Sequence, residues 1–128
     1  IMAGLVGSEM CIRDRMILSL VRDYHNQHRI VNEGGWNIAD AVQRSYDVEG
    51  MHIGTVAAGR IGLDALRKMK PFDTHLHYFD RHRLPREVED ELSLTFHDSV
   101  ESLVSVCDVV TIITVHCIPR QRTFSMMS

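Results

Sequence analysis

The chain has 128 residues, 45% of them hydrophobic, which is enough to bury the core of one small domain. A formal net charge of -3 argues against nucleic acid as a partner, and no apolar run reaches the roughly 18 residues that span a membrane. Three scattered cysteines do not form a disulfide framework or a zinc site, so we expect a cytoplasmic protein with reduced thiols.

The first third of the chain predicts helices joined by a loop. Apolar residues recur at helical spacing from Met16 to about Ile30, which predicts one helix. A glycine-containing loop follows from Asn32 to Asn37, and Ala39 to Tyr46 is long enough for one or two helical turns.

The run from Met51 to Asp80 carries the strongest functional signal. His52 to Val56 is short, apolar and partly β-branched, as expected of a buried strand. The turn that follows contains Gly59, whose missing Cβ lets the backbone approach a phosphate, and Gly62, which lets a helix pack closely on the strand. Ala57 stands where the usual pattern has its first glycine.

A helix and a second strand complete this unit. Arg60 and Ile61 begin the predicted helix, which runs to about Lys70 and would direct its free N–H groups at the phosphates. Asp80 follows the strand His75 to Phe79 and is 18 residues beyond Gly62. A carboxylate at this point accepts hydrogen bonds from ribose hydroxyls and repels a 2′-phosphate, so the sequence predicts NAD as the cofactor.

Three polar groups near this unit leave alternatives open. Arg81 and Arg83 weaken the preference for NAD, because a cation beside the ribose tolerates a phosphate. His75 and His77 share one face of a strand, but no third ligand has suitable spacing, so we expect no metal site. The acidic residues of the next predicted helix are expected to form a solvated face: Glu87, Glu89, Asp90 and Glu91.

The remaining elements are a helix and a strand. The helix spans Val100 to Val104, with Asp98 or Ser99 as its N-cap. Val109 to about Ile112 is predicted to be a third parallel strand. The fold class is therefore α/β, an incomplete Rossmann-type parallel sheet with flanking helices.

From Met16 to about Ile112 the chain resembles the NAD-dependent formate dehydrogenases of the D-2-hydroxyacid dehydrogenase superfamily. The segments that carry the resemblance are GGWNIAD (34–40), YDVEGM (46–51), GTVAAGRIG (54–62), HLHYFDRHRLP (75–85) and CDVVT (107–111). Ala57 in place of glycine is what this family shows. The resemblance identifies residues 16–112 as part of a coenzyme-binding domain.

The resemblance implies hydride transfer from formate to NAD, without a metal, in an enzyme that is a homodimer when intact. It implies that Arg60 and Ile61 contact the pyrophosphate, that Asp80 binds the adenosine ribose and that Arg81 borders the adenine pocket. The family's catalytic arginine, asparagine, histidine and glutamine have no counterpart in this chain. We therefore expect a fragment that binds NAD and is inactive alone.

Both ends of the chain depart from the family. Leu5 to Asp14 reads LVGSEMCIRD, which is also the translation of a transposon sequencing adapter, so residues 1–15 are predicted to be adapter. Beyond Ile112, a shift of reading frame near Ile113 converts one set of compatible codons into the Asn-Cys-Pro-Leu-His run of the family. Residues 113–128 are therefore predicted to be a frameshifted tail.

Two other functions fit the same nucleotide unit. One is another D-2-hydroxyacid dehydrogenase, acting on glycerate or lactate, against which the GGWNIAD and DRHRLP runs argue. The other is a non-catalytic protein that senses NAD, which needs the glycine turn and Asp80 but no groups that hold formate.

Overall fold

Six helices and four strands are found in the part of the chain that the structure describes. The computed structural model describes the backbone of residues 2–36 and 38–113, and the side chains of residues 11–36 and 38–113. In chain order the elements are α1 (Met2–Val21), α2 (Tyr24–Asn32), α3 (Ile38–Arg44), β1 (His52–Val56), α4 (Arg60–Met69), β2 (His75–Phe79), α5 (Arg86–Leu92), β3 (Thr95–Phe96), α6 (Val100–Val106) and β4 (Val109–Ile112). A 3₁₀ turn, Lys70–Phe72, follows α4.

The strands form one parallel sheet in the order β3-β2-β1-β4. Residues 52–56 of β1 pair with residues 75–79 of β2, and residues 53–56 pair with residues 109–112 of β4. Parallel strands of this kind are covered on both faces in α/β proteins. The α/β class and the Rossmann-type parallel sheet predicted from sequence are confirmed.

Helices cover the two faces of the sheet. Ile53 and Thr55 of β1 point toward α4, whereas Gly54 points the other way, toward Leu103 and Cys107 at α6. The largest fully buried side chains are Tyr78, Ile53, Leu66, Met69, Leu103 and Thr55. The core is therefore built around β1 and β2, and it supports the turn at the carboxyl end of β1.

The first helix differs from the prediction of a single helix from Met16 to about Ile30. It breaks at Asp23, which has φ +50°, and the chain continues as α2. The Val21 carbonyl accepts its hydrogen bond from the Tyr46 N–H at 3.0 Å, a residue distant in sequence. Asp tolerates the left-handed conformation better than most residues, so the chain turns there at low cost.

The predictions for the two ends of the chain are not tested by the fold. Residues 2–15 belong to α1, which continues without interruption to Val21. The predicted frameshifted tail lies outside the described residues, except for Ile113. In the described part of the chain, no helix is long and apolar enough to cross a membrane.

Candidate dinucleotide-binding site

The turn between β1 and α4 is held open by hydrogen bonds to both of its neighbouring strands. Ala57 has φ +73°, a left-handed conformation that favours glycine. Its N–H donates to the Phe79 carbonyl of β2 at 2.9 Å, and its own carbonyl accepts from the Thr55 hydroxyl at 3.2 Å. Alanine is thus kept, by two hydrogen bonds, in the backbone conformation that a glycine adopts freely.

Gly62 is the point of closest approach between α4 and the turn. A Cβ built at Gly62 would lie 2.4 Å from the Ala57 carbonyl oxygen and 3.2 Å from the Thr55 Oγ1. The 2.4 Å distance is shorter than a Cβ atom tolerates and involves a backbone atom, which cannot move aside as the end of a side chain can, whereas the 3.2 Å distance is only a tight contact. The close packing of helix on strand that was predicted for Gly62 is confirmed.

Gly59, by contrast, faces open space. It is the N-cap of α4, has extended φ and ψ, and a Cβ built on it would meet nothing within 4 Å. No side chain caps this end of the helix, and the first N–H with a helical partner is that of Leu63, which donates to Gly59 O at 2.9 Å. The N–H groups of Arg60, Ile61 and Gly62 therefore have no helical carbonyl to bind, and they point out of the helix end.

The two side chains that begin α4 differ in exposure. Ile61 is half-buried, whereas Arg60 is exposed and forms no ion pair with the residues that the structure describes. The helix end thus presents N–H groups, the positive pole of the helix dipole and a free guanidinium. Such an end attracts an anion.

Asp80 lies beside this helix end. Its Oδ2 accepts a hydrogen bond from the Ala58 N–H at 2.8 Å, and its Oδ1 accepts one from the His82 N–H at 3.2 Å. Each carboxylate oxygen has further acceptor capacity, so both remain able to accept a hydroxyl. Asp80 and the turn were predicted to lie together, and the structure places them within hydrogen-bonding distance.

The two arginines after Asp80 have different surroundings. Arg81 is exposed and has no hydrogen-bond or ion-pair partner among the described residues. Arg83 forms a bidentate ion pair with Glu89: Nε lies 2.9 Å from Oε1 and Nη2 lies 3.0 Å from Oε2. The structure therefore distinguishes two cations that the sequence treats alike.

The expectation that Glu89 lies on a solvated helix face is wrong. Glu89 is 8% exposed, and besides Arg83 it accepts a hydrogen bond from the hydroxyl of the fully buried Tyr78. The hydrogen bonds from Arg83 and Tyr78 hold the pKa of Glu89 below its usual value, and burial raises the pKa of Tyr78. The available signal was spacing: Glu89 stands three residues before the buried Leu92 on one helix face.

A chain of histidines, which was not predicted from the sequence, crosses the face of the sheet opposite α4. His52 Nδ1 lies 2.8 Å from His77 Nε2, and His77 Nδ1 lies 3.0 Å from His97 Nε2. His97 Nδ1 lies 2.9 Å from the Ser102 hydroxyl, and the His75 ring stacks on His52. Burial and the neighbouring imidazoles lower the pKa of His77 to about 4. Among residues 11–36 and 38–113 no group of three side chains is arranged to hold a metal ion.

A surface cleft of about 510 Å³ lies at the opposite end of the sheet. Its lining residues come from α1 and the turn after it, the segment before β1 and the segment before β2: Leu18, Arg22, Asp47, Val48, Glu49, Pro71, Phe72 and Asp73. It is open to solvent and far along the strands from the glycine turn. The arrangement suited to a nucleotide is at the carboxyl ends of the strands, where open α/β sheets bind their ligands.

Comparisons with known proteins agree with this geometry. The chain is 63% identical over 97 residues to formate dehydrogenase from Pseudomonas sp. (strain 101), an alignment that covers 76% of this chain and 24% of that protein. The chain thus spans about a quarter of the length of this curated relative.

Solved structures show the same fold. Formate dehydrogenase from Granulicella m. matches with a TM-score of 0.77 and 59% identity, over 85% of this chain and 28% of that one. The NAD-dependent formate dehydrogenase from Staphylococcus aureus, in complex with NAD, matches with a TM-score of 0.67 and 28% identity, over 85% of this chain and 31% of that one.

A family model described as D-isomer specific 2-hydroxyacid dehydrogenase, NAD binding domain, matches residues 15–128. This match covers most of the chain and includes the glycine turn, Asp80 and all four strands. The chain belongs to the NAD-binding domain family of the D-isomer specific 2-hydroxyacid dehydrogenases.

Proposed function

We propose that this chain is the coenzyme-binding part of an NAD-dependent formate dehydrogenase. The intact enzyme would oxidise formate to carbon dioxide and reduce NAD+ to NADH. The support is the 63% identity to a formate dehydrogenase, together with a nucleotide-binding turn whose parts lie in register. When bound, NAD supplies the ring that accepts the hydride.

The observation that supports this proposal most directly is the hydrogen bond between Asp80 Oδ2 and the Ala58 N–H. It joins the carboxylate that would accept ribose hydroxyls to the turn that would hold the pyrophosphate. These two groups are separated by 22 residues in the chain, and the fold brings them to one edge of the sheet. The uncapped helix end and the carboxylate are complementary to the two ends of an adenosine diphosphate.

The proposed contacts follow from this placement. The N–H groups of Gly59 to Gly62 and the Arg60 guanidinium would bind the pyrophosphate, and the half-buried Ile61 would fix the start of α4 beneath it. Asp80 would accept the ribose hydroxyls, and Arg81, which has no partner in the described structure, would border the adenine. These residues bind and orient the cofactor and do not act on formate.

Formate itself would be held by groups outside this chain. The family resemblance assigns that role to an arginine and an asparagine, with a histidine and glutamine nearby, and none of these matches a residue here. We propose that the chain binds NAD without oxidising formate, and that the intact enzyme is a cytoplasmic homodimer.

Isothermal titration of the 128-residue chain with NAD+ tests the proposal. ADP-ribose, which keeps the pyrophosphate and the adenosine ribose, should bind as well, whereas nicotinamide mononucleotide should bind more weakly. The same preparation should produce no NADH when formate is added. A folded chain that shows no saturable NAD+ binding would contradict the proposed function.

A further inference from the structure

Arg83 is held by two residues that face it, one on α5 and one on β3. Its guanidinium forms both hydrogen bonds of a bidentate pair with Glu89, at 2.9 and 3.0 Å. It also lies over the Phe96 ring, with Cζ 5.2 Å from the ring centroid. Both contacts are favourable for the planar arginine side chain, so its orientation is fixed although 61% of its surface is exposed.

Glu89 is fixed in turn from the interior. Its carboxylate accepts the hydrogen bond of the Tyr78 hydroxyl, and Tyr78 is fully buried in β2. The same hydroxyl accepts the Leu84 N–H at 3.0 Å. Side chain and backbone of the segment after Asp80 are therefore tied to one buried pair of residues. We call Tyr78, Arg83 and Glu89 the clamp.

The clamp reduces the positive charge that is available to a ligand bound at Asp80. A 2′-phosphate on the adenosine ribose needs a nearby cation to offset the repulsion by Asp80. Arg83 is three residues beyond Asp80, but its fork of N–H donors is engaged by a carboxylate of opposite charge. Arg81 keeps its charge and its donors free among the described residues.

From this arrangement we infer that Glu89 is a specificity-determining positioning residue, which withholds Arg83 from a 2′-phosphate and so favours NAD over NADP. This inference rests on the proposed function, because it concerns the same nucleotide site. Glu89 acts through Arg83 and does not touch the cofactor. Release of Arg83 would add a second cation to that of Arg81 for a 2′-phosphate, while leaving Asp80 in place for the ribose hydroxyls of NAD.

The test compares Glu89→Gln with Glu87→Gln by titration with NAD+ and NADP+. Glu87 is exposed on the same helix, so its substitution removes the same charge and leaves the clamp intact. For Glu89→Gln we expect the ratio Kd(NADP+)/Kd(NAD+) to fall about tenfold, the effect of one charge-assisted hydrogen bond gained by NADP. For Glu87→Gln we expect the ratio to change less than about twofold, since an exposed charge is screened.

The dependence on Arg83 separates this role from a merely structural one. The double variant Glu89→Gln, Arg83→Gln should return the ratio to the wild-type value, because the released cation is gone. Arg83→Gln alone should leave the ratio unchanged. This variant keeps the Tyr78–Glu89 hydrogen bond, so it still tests the inference if circular dichroism shows that Glu89→Gln is unfolded.

Two results would overturn the inference while leaving the proposed function intact. One is an equal change of the ratio in Glu89→Gln and Glu87→Gln, which would show that net charge alone is responsible. The other is weaker NADP+ binding in Arg83→Gln alone, which would show that Arg83 is already available. Failure of the folded wild-type chain to bind NAD+ at all would instead overturn the proposed function, and this inference with it.

Discussion

The Asp80 carboxylate accepts the Ala58 N–H at 2.8 Å, so the end of β2 is bonded directly to the turn that follows β1. Parallel pairing of the two strands brings these ends to the same edge of the sheet. The proposed ribose site and the proposed phosphate site are thus parts of one hydrogen-bonded structure. A substitution at either residue should therefore change cofactor binding more than it changes the packing of the core.

Substitution of Asp80 tests the ribose assignment. Asp80→Ala should weaken NAD+ binding by ~1–3 kcal/mol, the effect of losing charge-assisted hydrogen bonds, and should weaken NADP+ binding much less. Isothermal titration measures both affinities. Asp90→Asn, at an exposed position on α5, is the matched control and should leave both unchanged. Equal losses for NAD+ and NADP+ in Asp80→Ala would remove the assignment.

The two glycines of the turn should respond to alanine in different ways. Gly62→Ala places a Cβ 2.4 Å from the Ala57 carbonyl oxygen, so it should lower the free energy of unfolding by about 2 kcal/mol or more. Gly59→Ala adds its methyl group to open space, so the loss of stability should stay below about 1 kcal/mol.

Gly59→Ala should affect cofactor binding more than it affects stability. Its methyl group would occupy the space that the proposed pyrophosphate needs, so Gly59→Ala should weaken NAD+ binding at least about tenfold in a folded chain. Urea denaturation and NAD+ titration of the same samples give both quantities. If Gly59→Ala binds NAD+ as the wild type does, the phosphate does not lie over Gly59.

Ala57→Gly should stabilise the chain. Alanine at φ +73° carries the cost of a left-handed conformation, about 1 kcal/mol, which glycine avoids. Part of this gain is offset because glycine has more freedom in the unfolded chain, so we expect a net increase of roughly 0.5 kcal/mol in the free energy of unfolding. Urea denaturation measures it. Ala58→Gly, at a neighbouring position with ordinary φ, should be destabilising.

The sequence was sufficient for the elements whose signals are local. β1 and β2 lie at the residues predicted for them, because a short run of β-branched or aromatic residues between turn residues has few alternatives. Ser99 is the N-cap of α6, as one of the two predicted candidates, and accepts the Ser102 N–H at 3.1 Å. The glycine spacing and Asp80 could likewise be read without a structure.

What the sequence did not reveal depends on residues distant in the chain. β3 has two residues and exists through its pairing with β2, so no local pattern marks it. The burial of Glu89 depends on Tyr78 and Arg83, and the break at Asp23 depends on Tyr46. In each case polar groups are paired with partners that are distant in the chain and that only the fold brings near. The exposure of such a group cannot be predicted from the residue alone.

The histidine chain has a limited capacity for protons. Each of its two ring-to-ring hydrogen bonds holds one proton, and a neutral imidazole supplies one N–H. Three neutral rings satisfy both bonds, and so do three rings with one added proton. A second added proton sets N–H against N–H at one of the bonds. His77 takes part in both of these bonds, so the protons that they already hold limit its own protonation.

The lowered pKa of His77 predicts a loss of stability in acid. The pKa of His77 is lowered to about 4 in the fold, against about 6.5 for an unfolded histidine, so below pH 6.5 the unfolded chain binds the proton more readily. The contribution of His77 is fully present above about pH 6.5, decreases as the pH falls and is lost at about pH 4.

Urea denaturation at pH 7.5, 5.5 and 4.5 measures this effect. We expect about 1–2 kcal/mol of the stability change to depend on His77, after allowance for solvent screening. His77→Gln keeps a donor and an acceptor toward its two neighbours and cannot take a proton, so its stability should vary less with pH than that of the wild type. His82→Asn, at an exposed loop position, is the control and should keep the wild-type slope. If His77→Gln and the wild type lose stability in parallel between pH 7.5 and 4.5, the histidine chain is not the acid-sensitive element, and the carboxylates paired with arginine, such as Glu89, become the groups to examine.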